Sequence, residues 1–240
     1  MSSERDDRPA AASGKVSDAI GAISRQGFLG GLSETLRNSL LEGAHLIEYP
    51  PGSSTSGKPD SRLSAVVVSG LVRTYLSAPD GRQITLHYSG ASDLVSPGAG
   101  SARNLGDAVQ AVEQSSLLHL DPLRLERLAG TDPELSWALA RGIEERLSHA
   151  HQMVAMCTFA RVRTRVARDL LERALALGSP APGTPLRTTH QELADAIGSV
   201  REVVARAIRD LRAAGVIERH PNGVTIADLD RLLLAAEIHD

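Results

Sequence analysis

At 240 residues the chain can bury two separate cores, and its formal net charge of -3 excludes nucleic-acid binding through bulk positive charge. A single cysteine, Cys157, excludes an intrachain disulfide, a structural zinc site of several thiolates and a cysteine-ligated iron–sulfur cluster. The absence of any apolar run of roughly 18 residues excludes a transmembrane helix, so no membrane partner is expected.

The first segment, MSSERDDRPAAASGK, lacks the apolar stretch of a signal peptide, so residues 1–18 read as a disordered tail of a cytoplasmic protein. Residues 19–45 have helical patterning through Ile20, Ile23, Leu32, Leu36, Leu40 and Leu41, broken by Gly27, Gly30 and Gly31. From about residue 46 the period changes. LIEY, RLSAVVVSG, LVRTYLS and QITLHYSG are strand-like, with PPG, SG and PDG as punctuation, and Ala78-Pro79-Asp80-Gly81 predicts a hairpin turn. DAVQAVEQSSLLHLD adds two more short strands, and the spacing suggests a small barrel or jelly roll.

After Asp121 the pattern is helical: PLRLERLAG, then a long helix from about Pro133 to Met156 capped by Asp132. Leu135, Leu139, Ile143 and Leu147 recur every four residues, and Ala150 and Val154 continue the stripe. Such a stripe either packs along its own chain or pairs with a symmetry mate, and pairing is the favoured reading. Cys157, in the apolar run MVAMCTF, reads as a buried structural thiol in preference to a redox centre. A further helix, RVRTRVARDLLERALAL, leads to a loop at 178–185.

Thr188 to Arg212, TTHQELADAIGSVREVVARAIRDLR, holds two helical patterns joined at Gly198. Thr189 and Glu192 have capping-box spacing, and Ser199 with Glu202 predicts the same device on the second helix. Val203, Val204, Ala207, Ile208 and Leu211 face inward on that helix, leaving Arg201, Glu202, Arg206 and Arg209 on other faces. This is a helix-turn-helix, a motif whose second helix enters the DNA major groove. Local positive charge comes from Arg161, Arg163, Arg165 and Arg168, and from Arg201, Arg206, Arg209 and Arg212. VIERHPNGVTI then predicts a hairpin turning at Asn222-Gly223, and ADLDRLLLAAEI a closing helix. An enzyme is not expected: the chain has no P-loop, Gly-x-Gly-x-x-Gly after a strand, Gly-x-Ser-x-Gly or His-Glu-x-x-His.

On ELADAIGSVREVVARAIRDLRAAGVIER, and more weakly on VVVSGLVRTYLSAPDGRQITLHYSGASDLV, the chain resembles the CRP/FNR family of bacterial transcription regulators over about residues 28–226. The resemblance implies an α+β fold: a double-stranded β-helix or jelly-roll sensor domain at 19–132, a dimerisation helix at 133–157, and a winged helix-turn-helix at 158–240. It implies a homodimer on double-stranded DNA, with RNA polymerase as a possible further partner. Arg201, Glu202 and Arg206 fall at base-reading positions, as in members that recognise a GTGA-like half-site, and Thr189, Gln191 and Arg209 at backbone positions. Leu135, Leu139, Ile143, Leu147 and Val154 would form the dimer interface.

The sensor departs from the family's cyclic-nucleotide cassette. Pro97 falls at its glutamate, Leu105 and Gly106 fall at its Arg-Ser pair, and Ala150-His151 replace its adenine-holding pair. Leucine and glycine side chains offer a cyclic phosphate no cation, so cyclic-AMP control is not expected, although Arg103 is a substitute cation to consider. Haem is the alternative ligand, through His45, His87, His119, His149 or His151, but no two of these have ligand-pair spacing on one element. The expectation is no cofactor, with an unidentified small effector or none. A β-roll module that docks protein partners is the alternative from another class.

Overall fold

The computed structural model describes residues 20–21, 23, 25–55, 63–96, 106–178 and 180–238. The expected tail at 1–18 and the cassette positions Pro97, Arg103 and Leu105 lie outside these residues.

Two short helices, α1 (Gly27–Gly30) and α2 (Glu34–Leu41), precede eight strands: β1 (His45–Tyr49), β2 (Ser54–Thr55), β3 (Ala65–Ser69), β4 (Val72–Ser77), β5 (Gln83–Ser89), β6 (Leu94–Val95), β7 (Gly106–Ala111) and β8 (Ser115–His119). They pair antiparallel into two sheets, β1-β8-β3-β6 and β2-β7-β4-β5. This interleaved order is a jelly roll. Alternation along the strands decides which core each side chain joins. Ala65, Val67, Val72, Val95, Val109 and Leu117 fill the space between the sheets, while Val66 and Leu118 point out against Leu29, Leu36 and Leu40 of the helices. The Ala78–Gly81 turn forms as the sequence predicts, with Ala78 N–H donating to the Arg82 carbonyl at 2.8 Å.

Helix α3 (Pro122–Thr131) and helix α4 (Pro133–Phe159) follow. Each starts with an aspartate cap and a proline at its first position: Asp121 accepts from Leu123 and Arg124 N–H, and Asp132 from Glu134 N–H. Helix α4 runs three residues past the expected end, to Phe159, and is about 40 Å long. Its apolar stripe divides. Leu135 is 0 % exposed, packed in the core between the jelly roll and α1–α2, so it is spent within its own chain; Leu139 is half-buried against the same core. Ile143, Leu147 and Val154 are 55–64 % exposed, and Trp137 and Phe159 are more open still. The division arises because only the first two turns of the stripe meet the chain's own core, although other faces of α4 go on to cross β5 at His149. Cys157 is exposed, correcting the expectation of a buried thiol.

Helix α5 (Val162–Ala176), strand β9 (Pro185–Arg187), helices α6 (His190–Ile197) and α7 (Arg201–Ala213), strands β10 (Ile217–His220) and β11 (Gly223–Ile226), and helix α8 (Leu229–Ala235) complete the chain. Their core joins Val166, Leu170, Leu193, Val204, Ile208, Leu211, Ile217 and Ile226. Strand β9 was not expected. It pairs with β11 to give a sheet of order β10-β11-β9, so the end of the anticipated loop is ordered by a partner distant in sequence. The residues between the paired ends of β10 and β11 are Pro221 and Asn222, and Gly223 is already a strand residue opposite His220. Among the described residues, no helix is long and apolar enough to cross a membrane.

Candidate nucleic-acid interface

Helix α6 opens with a complete capping box. Thr189 Oγ1 accepts from Glu192 N–H at 3.1 Å, and Glu192 Oε2 accepts from Thr189 N–H at 2.7 Å. Gly198 closes it in the left-handed region, at φ 61°, where a side chain is disfavoured. The second helix starts differently from the expectation. Its cap is Val200, not Ser199, and no side chain caps it, because the tight exit from Gly198 leaves Ser199 one residue too early. The first N–H groups of α7 therefore remain open at an exposed helix start, where the helix dipole favours negative charge.

Val204, Ala207, Ile208 and Leu211 bury one face of α7, with Val203 half-buried beside them. Arg201, Glu202, Arg206 and Arg209 are exposed on the remaining faces, and none of their side chains bonds or pairs with another described residue. Thr189 is exposed; its oxygen is occupied by the cap, but its hydroxyl proton remains free to donate. Gln191 is exposed, with its amide held by Asp195 Oδ1 at 2.8 Å. A groove beside α7 is lined by Arg209, Arg212 and Arg219, the last from β10. Sequence reading passed over Arg219, although it stands in the predicted hairpin; only folding that hairpin against α7 reveals the cluster. The other anticipated basic cluster, Arg161 to Arg168, is partly spent internally. Arg165 donates to the Ile197 carbonyl, and Arg168 pairs with Glu172 at 2.7 Å and donates to Gln152 at 2.5 Å.

The jelly roll meets this domain through β5. Tyr88 Oη donates to Asp169 Oδ1 of α5, whose other oxygen accepts from Arg173 Nε at 2.7 Å, and the Arg173 guanidinium lies 4.9 Å from the Tyr88 ring centre. All three are buried, and burial pushes the Tyr88 hydroxyl well above the ordinary phenol range. Gly90 is required here: a Cβ would overlap the Ala176 carbonyl oxygen at the end of α5.

On its other side β5 borders a cleft of about 450 Å³ between α1 and α4, lined by His87, Tyr88, Asp93, Glu145, Arg146 and His149 among others. The His87 and His149 rings stack at 6.3 Å, a pairing across two elements that no spacing on one element could reveal. Burial, with His149 and Arg146 nearby, holds His87 down at about 4. Burial raises Asp93, opposed by a 2.8 Å hydrogen bond from Gly90 N–H. His45 and His119 form a second stacked pair at 5.3 Å, with Tyr49 Oη 3.0 Å from His119 Nε2, and His151 stands exposed on α4. Among the described residues, no group of three or more His, Cys, Asp or Glu side chains could hold a metal ion.

Residues 164–234 match the Crp-like helix-turn-helix domain family. The chain is 30% identical over 224 residues to a CRP-like cAMP-activated global transcriptional regulator of Mycobacterium tuberculosis, covering 88% of this chain and 96% of that protein. It is 32% identical over 187 residues to the transcriptional regulator SdrP of Thermus thermophilus, covering 75% of this chain and 88% of that one. In fold it is similar to a crp/fnr-family transcriptional regulator from Eubacterium rectale, with a TM-score of 0.70 at 21% identity over 89% of this chain and 99% of that one. A jelly roll tied through a long helix to a helix-turn-helix with exposed arginines, and relatives matched over nearly their whole length, place this chain in the CRP/FNR family of transcription regulators, which are not enzymes.

Proposed function

We propose that the protein is a cytoplasmic homodimer that reads a palindromic, GTGA-like DNA site with Arg201, Glu202 and Arg206. The observation that carries this reading is the exposure of all three at the start of α7 without partners among the described residues. Arginine suits bidentate bonding to guanine O6 and N7, and a carboxylate accepts from cytosine N4. Arg209, Arg212 and Arg219 would line the phosphate backbone, joined by Thr189 and Gln191. Ile143, Leu147 and Val154 would pair with a second copy across a two-fold axis, setting the recognition helices about one DNA turn apart. The proposed effector, a small molecule other than cyclic AMP, would enter the cleft at His87, one side chain from the Tyr88 tie to α5. RNA polymerase contact belongs to the same proposal.

The test is a gel shift of the purified protein on a duplex with an inverted GTGA-type repeat, against a scrambled duplex over a range of salt. Salt-sensitive, sequence-dependent retardation supports the reading; equal affinity for both duplexes overturns it. An absorption spectrum of the purified protein addresses haem, since a Soret band would make haem the occupant of the sensor.

A further inference from the structure

Apart from Met1, all the sulfur in this chain lies within five residues: Met153, Met156 and Cys157. They occupy positions i, i+3 and i+4 of α4, so they share one patch of its surface. All three line one small recess of about 40 Å³ where α4 meets β5, α5 and α6. The Cys157 and Met153 sulfurs lie 3.9 Å apart. Two metal–sulfur bonds of about 2.3 Å at the angle of about 120° of a trigonal site span roughly 4 Å, so this separation needs little adjustment. Core packing would bury these side chains, yet Cys157 is exposed and both methionines are only half-buried.

From this arrangement we infer that Met153, Met156 and Cys157 form a binding site for a soft monovalent ion, copper(I). Thiolate and thioether ligands select copper(I) over harder ions. Both carboxylates around the recess are already committed, and its one imidazole, His149, is stacked on His87. Asp169 is held by Tyr88 and Arg173, and Glu172 by Arg168, which disfavours zinc. As copper binds, the Cys157 thiol gives its proton to solvent and a copper–sulfur bond forms. The two thioethers donate lone pairs, the ion stays monovalent, and no electron is transferred. The ion would sit where the end of α4 meets the helix-turn-helix, beside Ala196 and Ile197.

The test uses the reduced, full-length protein, anaerobically and without DNA. Copper(I) is titrated against a chromogenic copper(I) chelator, and silver(I), its redox-inert analogue, is added to protein carrying methyl-labelled methionine. One ion per chain is expected, with the Met153 and Met156 methyl resonances shifting and that of Met1 unmoved. Met153→Leu and Met156→Leu, which conserve shape, should each weaken binding at least about tenfold, and Cys157→Ser should abolish it. Unshifted methionine methyls, or affinity and stoichiometry retained in the variant with all three substitutions, would overturn the site. The measurement is independent of DNA binding, so its failure leaves the regulator reading intact.

Discussion

Tyr88 Oη donates a 2.7 Å hydrogen bond to Asp169 Oδ1, and this bond joins the end of β5 to the body of α5. Tyr88 also lines the cleft between β5 and α4, so a residue that meets the cleft is the same one that holds the first helix of the DNA-binding domain. Movement of the ring on one side must be felt by Asp169 and Arg173 on the other. Interiors are close-packed and transmit displacement.

Tyr88→Phe removes the hydroxyl while keeping the ring under Arg173, and should cost about 1–3 kcal/mol by denaturant unfolding. Asp169→Asn should cost more, about 3–5 kcal/mol, because it leaves the buried Arg173 cation without its carboxylate. Equal losses for both substitutions would mean that the ion pair adds nothing beyond the tyrosine hydrogen bond.

Arg206→Ala should weaken binding to the proposed site by roughly 1–3 kcal/mol and relax the preference at one base pair. Arg219→Ala should weaken all duplexes alike and lower the salt slope by about one. Binding to a panel of singly substituted duplexes separates the two; a uniform loss for Arg206→Ala would make it a phosphate contact.

The two ends of the α4 stripe should respond in opposite ways. Ile143→Asp with Leu147→Asp alters exposed positions, and sedimentation should report monomers that remain folded. Leu135→Ala should lower stability by about 2–5 kcal/mol and leave the oligomeric state unchanged, since its side chain belongs to the chain's own core. A dimer persisting in the double variant would move the interface elsewhere.

His87 should make the protein lose stability in mild acid. Its folded-state value is about 4, below the ordinary histidine value of about 6.5, so the unfolded chain binds more protons between these limits. Its neutral form therefore contributes stability fully at pH 7, lost progressively as pH falls from about 6.5 to 4, by at most about 3 kcal/mol. Asp93 and Glu172, raised by burial, act with the opposite sign. The difference between wild type and His87→Gln isolates the histidine: the variant should show a flatter decline in unfolding free energy from pH 7 to 4.

Val200→Ser should stabilise α7. The present cap makes no side-chain hydrogen bond, and a serine oxygen there could accept from the open N–H groups for about 0.5–2 kcal/mol. Thermal unfolding measures it, and an unchanged midpoint would mean that water already satisfies those groups.

Local chemistry made much of this protein legible in its sequence. The Thr189–Glu192 capping box, Gly198, the Asp132-Pro133 helix start and the Ala78–Gly81 turn depend on neighbours a few residues away, and periodicity alone placed Val204, Ile208 and Leu211 inward. The family and the exposed Arg201, Glu202 and Arg206 on α7 followed from such signals. Contacts between distant segments were hidden. Strand β9 exists because β11 pairs with it, Arg219 joins Arg209 and Arg212 because β10 folds beside α7, and His87 meets His149 because α4 crosses β5. Leu135 and Ile143 have the same place in the α4 repeat, but only the packing of the jelly roll decides that one is buried and the other left open. Sequence fixes which face of a helix is apolar, whereas burial depends on what comes to lie against that face, which only the folded chain determines.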